Sequence, residues 1–172
     1  MKKIILVGYM GSGKTTIGKE LSAVLQLPFI DLDHYIEEKE QLSINELFKQ
    51  KGEIYFRKQE HFCLKHLLSN KKSFVLSLGG GTPCYANNHL LLQSNQVVSF
   101  YLQASVNTLA ERLQNVSNRP LLADVSDLKT YIGPHLLERA YFYNFSHYKI
   151  NVNNKDTTSI RNEILTLILK NI

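Results

Sequence analysis

The amino-acid sequence predicts a three-layer α/β/α fold around a central five-stranded parallel sheet. Three observations predict it: short unbroken aliphatic runs recur along the chain, segments of helical apolar spacing alternate with them, and glycine-rich turns stand where runs end. A strand that is apolar without interruption is buried on both faces, and helices on both sides of a parallel sheet provide that cover. The 172 residues suit a single domain, taken as 1–172.

Lys3 to Val7 is the first such run, and it stops at Gly8. From Lys14 onward Ile17, Leu21, Val24 and Leu25 fall at helical spacing, so a glycine-rich turn leads directly into a helix. Pro28-Phe29-Ile30 makes a short second strand ending at Asp31-Leu32-Asp33, and His34 to Glu40 reads as helix. Ser43 with Glu46 has capping-box spacing and opens a helix that Gly52 closes. Glu53 to Leu68 is the next helix, with Phe56, Phe62, Cys63 and Leu67 as core positions. Phe74 to Leu78 is a third strand running into Gly79-Gly80-Gly81, and Val97 to Leu102 is a fourth. Val106, Leu109, Ala110 and Leu113 mark another helix. Residues 114–125 are polar, contain Arg119-Pro120 and lack periodicity, which predicts a mobile loop. A helix from Leu128 to Tyr143 precedes the fifth strand, near Lys149 to Val152. Ile160, Ile164, Leu167 and Ile168 then mark a final amphipathic helix.

Composition narrows the function. Hydrophobic residues at 44% with charged residues at 20% suit a water-soluble domain, and no apolar run is long enough to cross a membrane. Met1-Lys2-Lys3 followed by four aliphatic residues imitates a secretory signal, but the run is too short for one, so a cytoplasmic protein is expected. Cys63 and Cys84 lack zinc or disulfide spacing and read as reduced packing residues. A formal charge of +5 suits anionic ligands without choosing among them. The aromatics Tyr141, Phe142, Tyr143, Phe145 and Tyr148 have no interleaved basic residues, so they read as packing and not as a platform for nucleic-acid bases. A monomer with no nucleic-acid and no membrane partner is expected.

Gly8 to Thr15 reads Gly-Tyr-Met-Gly-Ser-Gly-Lys-Thr, the pattern of a phosphate-binding loop between a strand and a helix. Chance produces such a match in a chain of this size on the order of 1% of the time or less. Glycines at 8, 11 and 13 let backbone N–H groups converge on a polyphosphate at the positive end of the helix dipole. Lys14 then reaches the β- and γ-phosphates, and the Thr15 hydroxyl ligates Mg²⁺. The nucleotide-binding set runs through Gly11, Ser12, Gly13, Lys14, Thr15 and Thr16.

A phosphate loop alone does not separate a kinase from other nucleotide hydrolases or switches. Four further features bear on that choice. Asp31 and Asp33 stand at a strand end, where one can support the metal through water and the other can meet an acceptor hydroxyl; equally, Asp33 can cap the next helix. Gly79-Gly80-Gly81 lets a small ligand approach the backbone, or serves as a hinge, and Ser77 can hold a metal-bound water. Arg57 and Glu60 share a helical face, so the carboxylate can orient the guanidinium toward a substrate carboxylate, or the two form a surface ion pair. Arg112, Arg119 and Arg139 read as solvated by default, although an arginine in a loop closing over the γ-phosphate neutralises transition-state charge.

Together these residues resemble the shikimate kinase family over nearly the whole chain. The resemblance rests on the loop at 8–15, Asp-x-Asp at 31–33, Gly-Glu-x-x-Phe-Arg-x-x-Glu at 52–60, the glycines at 79–81, Arg-Pro-Leu-Leu at 119–122, and Arg139 four before Tyr143. It implies a P-loop kinase fold of the nucleoside-monophosphate-kinase kind, with substrate-binding helices at about 33–60 and a lid at about 114–125. The implied activity is transfer of the ATP γ-phosphate to the 3-hydroxyl of shikimate, with Mg²⁺. Residue by residue, it implies Lys14, Asp33 and Arg119 as catalytic, Arg119 being the lid arginine. Asp31 helps to hold Mg²⁺ through water, and Asp33, Arg57, Gly79, Gly80, Gly81 and Arg139 bind shikimate, the two arginines clamping its carboxylate. Arg112 is implied against the adenine. The sequence departs from the family pattern in lacking a glutamate after Phe142-Tyr143-Asn144 and an arginine within 151–156. The rivals are a gluconate kinase of the same fold and a regulatory P-loop nucleotide hydrolase, against which the absence of Asn-Lys-x-Asp and of basic stripes counts.

Overall fold

Lys3–Val7 forms β1, fully buried along its length, as an unbroken aliphatic strand requires. In the computed structural model, which describes residues 2–114 and 127–170, β1 is followed by α1 (Lys14–Leu25), β2 (Phe29–Asp31), α2 (Leu32–Glu40) and α3 (Ile44–Ser69). Next come β3 (Val75–Ser77), a 3₁₀ turn at Thr82–Cys84, α4 (Asn88–Leu91), β4 (Val97–Gln103) and α5 (Val106–Leu113). The remainder is α6 (Leu128–Tyr143), β5 (Tyr148–Asn151) and α7 (Thr157–Leu169).

All five strands pair in parallel in the order β2-β3-β1-β4-β5, and helices flank the sheet. The predicted sheet is therefore the observed one. Register places Leu6 beside Ser77 and Asp31 beside Ser77, so the carboxyl ends of β1, β2 and β3 finish level. Parallel sheets present their ligand sites at that edge, outside the strand ends, and here the order reverses between β3 and β4 on either side of β1.

The structure refines several expectations. Gly52 does interrupt the helical run, with φ 80° and ψ 167°, so α3 is two helical stretches meeting at a kink. The capping box holds, Ser43 Oγ accepting from the Glu46 amide while the Glu46 carboxylate accepts from the Ser43 amide. Phe62 is not core: it is 57% exposed, with the Lys39 ammonium 4.2 Å from its ring centroid. Val24 is likewise exposed, because α1 turns Ile17 and Leu21 inward and leaves position 24 on its outer side. Asp33 belongs to the first turn of α2, and the residue that caps this helix is Asp31, whose carboxylate accepts from the Asp33 amide. The two cysteines are free, Cys63 being buried. Tyr143 is buried against Tyr101, and Phe142 and Phe145 pack edge-on to His89, so much of that aromatic stretch is packing.

Candidate active site

The chain leaves β1 through Gly8, Gly11 and Gly13, all with positive φ, and enters α1 with no side-chain cap, so the first amides of that helix stay free for an anion. Lys14 Nζ folds back over the loop and donates to the carbonyls of Gly8 (2.9 Å) and Tyr9 (3.1 Å). Thr15 Oγ1 donates to Asp31 Oδ2 at 3.1 Å, tying the loop to the end of β2. Gly11, Gly13, Lys14, Thr15 and Asp31, with Asp33, Ser77, Gly79, Arg112, Lys155 and Thr157, line a cleft of about 500 Å³.

A second cleft of about 470 Å³ opens beside it, lined by Arg57, Glu60, Phe48, Phe56, Gly81 and Arg139 among others. Met10, Asp33, Gly79 and Gly80 line both. Two compartments thus meet at one carboxylate.

The second cleft holds the predicted arginine pair. Arg57 Nη1 donates to Glu60 Oε2 at 3.0 Å and its Nε to Glu53 Oε1 at 3.3 Å, while its guanidinium lies 4.1 Å from the Tyr85 ring centroid. Glu60 is 1% exposed, so this is no surface ion pair of small consequence. Arg139 approaches the site from α6 with its guanidinium 5.3 Å from the Tyr9 ring centroid. Among the described residues no carboxylate stands within ion-pair distance of it.

The glycines between β3 and the 3₁₀ turn make this convergence possible. A Cβ on Gly79 would sit 2.8 Å from Asp33 Oδ1 and 3.0 Å from Thr82 Oγ1, and one on Gly81 would sit 3.0 Å from both terminal nitrogens of Arg57. The backbone is packed directly against the charged ends of the site side chains, which a hinge would not need. Tyr143 Oη donates to Gly80 O at 2.5 Å and fixes the middle of the run.

Electrostatics set Asp33 apart. Burial, then the negative charges of Asp31 and Glu60, push its carboxyl up to about 6, with Lys14 opposing. Burial also raises Glu60 above the usual carboxylate range, against the pull of Arg57.

Arg112 spans the rim of the first cleft, donating to the carbonyls of Gly11 (3.2 Å), Ser12 (3.4 Å) and Val152 (3.3 Å). Arg119 and most of the predicted lid lie outside the described residues. Glu53 stands in the motif at 52–60, but its contact with Arg57, recoverable from the four-residue spacing, was not assigned; sequence reasoning missed Thr82, Tyr85 and Tyr9, whose roles depend on tertiary approach.

The shikimate kinase family model matches residues 10–170. The chain belongs to the shikimate kinase family. A shikimate kinase of Flavobacterium johnsoniae is 49% identical over 171 residues, covering 98% of this chain and 99% of the relative. Among solved structures, shikimate kinase from Acinetobacter baumannii in complex with shikimate is 36% identical with a TM-score of 0.89, covering 99% of this chain and 94% of that one. The shikimate kinase from Bacteroides thetaiotaomicron is 33% identical with the same TM-score, over 97% and 98%.

Proposed function

We propose that the chain transfers the γ-phosphoryl group of ATP to the 3-hydroxyl of shikimate in the paired clefts, yielding 3-phosphoshikimate and ADP. The observation that carries this reading is the shared wall: Asp33, Gly79 and Gly80 face both compartments, so a donor in one and an acceptor in the other meet there.

The phosphate loop from Gly11 to Thr16 would hold the triphosphate, and Lys14, already extended along the loop, would move from the Gly8 and Tyr9 carbonyls onto the β- and γ-phosphates. In the second cleft Arg57 and Arg139 would take the shikimate carboxylate, and Gly79, Gly80 and Gly81 would border the ring. Asp33 would accept hydrogen bonds from the ring hydroxyls and take the proton of the attacking one, a role suited to a carboxyl that changes state near about 6. Arg112 would border the base, and Arg119, on a lid at about 114–125, would neutralise charge on the transferring group.

Thr15 and Asp31 suit Mg²⁺. They present only oxygens at a strand end beside the phosphate loop, and among the described residues no cluster of three His, Cys, Asp or Glu forms an all-protein cage. Thr15 would hold the ion directly and Asp31 through water, and when bound the ion would supply neutralisation of the phosphate charge. The reading extends to a cytoplasmic monomer acting as one domain of 1–172, with substrate-facing helices at about 33–60. Among the described residues, no helix is long and apolar enough to cross a membrane.

Purified protein supplied with ATP, Mg²⁺ and either shikimate or gluconate tests the assignment. ADP release is expected with shikimate only; release with gluconate alone overturns it. Arg57→Ala should raise the shikimate KM, and an unchanged KM removes that residue from the clamp.

A further inference from the structure

The stretch just after the three glycines carries two polar side chains with no solvent contact. Thr82 and Asn88 are both 0% exposed, and burial of such groups is costly unless each finds partners. Both do. Thr82 Oγ1 donates to Glu60 Oε1 at 2.6 Å, and Asn88 Nδ2 donates to the Thr82 carbonyl at 2.9 Å. That orientation of the amide leaves Asn88 Oδ1 to accept from His61 Nδ1, 2.6 Å away. The other oxygen of Glu60 accepts from Arg57 Nη1. The chain of bonds therefore starts on α3 at His61, crosses Asn88 and Thr82, and returns to α3 at Glu60 and Arg57.

We infer that Thr82 and Asn88 are positioning residues for the substrate-carboxylate clamp, acting through Glu60 on Arg57. The inference rests on the reading of Arg57 as a carboxylate ligand. Arg57 contacts two carboxylates, and Glu53, the other one, is exposed, so the direction of its guanidinium is set mainly by Glu60. A glutamate has three side-chain torsions, and its carboxylate is held in place only by what its oxygens touch. The Thr82 hydroxyl takes one oxygen and leaves the other directed at Arg57. Asn88 in turn holds the Thr82 backbone, which is bonded through its amide to Gly79 O at 3.1 Å. One short network thus keys the glycine wall of the cleft to the helix that carries the arginine. Neither residue lines the first cleft, so the effect falls on shikimate more than on ATP.

Steady-state kinetics on Thr82→Val, Thr82→Ser and Asn88→Ala, with Arg57→Ala as the benchmark, test this. Thr82→Val keeps the shape and removes the donor, so the shikimate KM should rise about tenfold, the scale of one hydrogen bond to a charged group, while the ATP KM and kcat stay within about twofold. Thr82→Ser, which restores the hydroxyl, should bring the shikimate KM back, and Asn88→Ala should raise it in the same selective way. A shikimate KM within twofold of the parent in Thr82→Val overturns the inference. So does a loss shared equally by shikimate and ATP that serine does not repair. If Thr82→Val yields no folded protein, the Asn88→Ala kinetics decide by the same criteria. If Arg57→Ala leaves the shikimate KM unchanged, the clamp itself fails and this inference with it, whereas a raised KM in Arg57→Ala with none in Thr82→Val overturns the network alone.

Discussion

Replacing Gly79 by alanine separates what the fold requires from what the chemistry requires. The added methyl would meet Asp33 Oδ1 at 2.8 Å, Thr82 Oγ1 at 3.0 Å and Glu60 Oε1 at 3.3 Å, where ordinary contact begins at 3.4 Å. Relieving the closest contact moves the Asp33 oxygen by about 0.6 Å, while the buried Thr82 and Glu60 oxygens, bonded to each other, have to give by only about 0.4 and 0.1 Å. The φ of Gly79 lies outside the left-handed region, so alanine meets no backbone strain there. The stability cost is accordingly small, on the order of 1 kcal/mol, which for a chain of this length moves Tm by about 2–4 °C. Catalysis is less forgiving, since a misplacement of about 1 Å can cost roughly 100-fold, so kcat should fall about 10- to 100-fold. The assay is shikimate-dependent ADP release at saturating ATP, with Tm from calorimetry on the same samples. A variant that keeps kcat within threefold of the parent refutes the view that the glycine is there to admit the Asp33 carboxylate. A variant that unfolds refutes the argument that the strain is confined to side-chain ends.

Asp33→Asn should cut kcat strongly with little change in ATP affinity, and unchanged turnover removes Asp33 from the mechanism. The same variant should stabilise the ligand-free protein at high pH. The folded-state carboxyl is raised to about 6, so its contribution is fully present below about 4 and is lost as pH rises through about 6. The variant should therefore gain a few degrees in Tm at pH 8 and nothing at pH 4, and equal gains at both would contradict the raised value. Tyr143→Phe removes the donor to the half-buried Gly80 carbonyl, which water in the cleft can reach, a loss of about 0.5–1.5 kcal/mol, seen as a fall of about 1–6 °C in Tm by calorimetry. Chelation of Mg²⁺ should abolish ADP release and readdition should restore it, and Thr15→Ala should raise the Mg²⁺ concentration needed for half-maximal rate.

What the sequence made legible was local. The phosphate loop is contiguous, and its strand-turn-helix context follows from β1 and α1 on either side. The Ser43 and Glu46 box needs three residues of spacing and nothing else. Arg57 and Glu60 were visible as a pair, but their burial was not, because Thr82, which fixes the far oxygen of Glu60, lies 22 residues on. Phe62 shows the converse limit: helical spacing identifies a possible inward face, yet the true one is chosen by what α2 packs against, and Leu64 joins the expected Cys63 inside in place of Phe62. The two aspartates divided their work in a way spacing does not reveal, since whichever residue directly precedes the helix becomes the cap. Arg112 reads as a solvated helix residue until Val152 and the phosphate loop arrive from elsewhere in the chain to accept its hydrogen bonds.

The central place of β1 also shapes how the chain reaches this structure. Its neighbours are β3, in register with Ile4 opposite Val75, and β4, with Ile4 opposite Val98, and both pairings are parallel. No short hairpin can satisfy an edge of β1, so its amides wait for partners more than 70 residues downstream. At the usual pace of synthesis of about 5–20 residues per second, that interval lasts roughly 4–14 s, during which Lys3–Val7 remains an unpaired aliphatic segment. The same strand that anchors the phosphate loop is thus the segment most exposed to mispairing during synthesis, and slow, non-local closure of the sheet is the expected limit on folding rate.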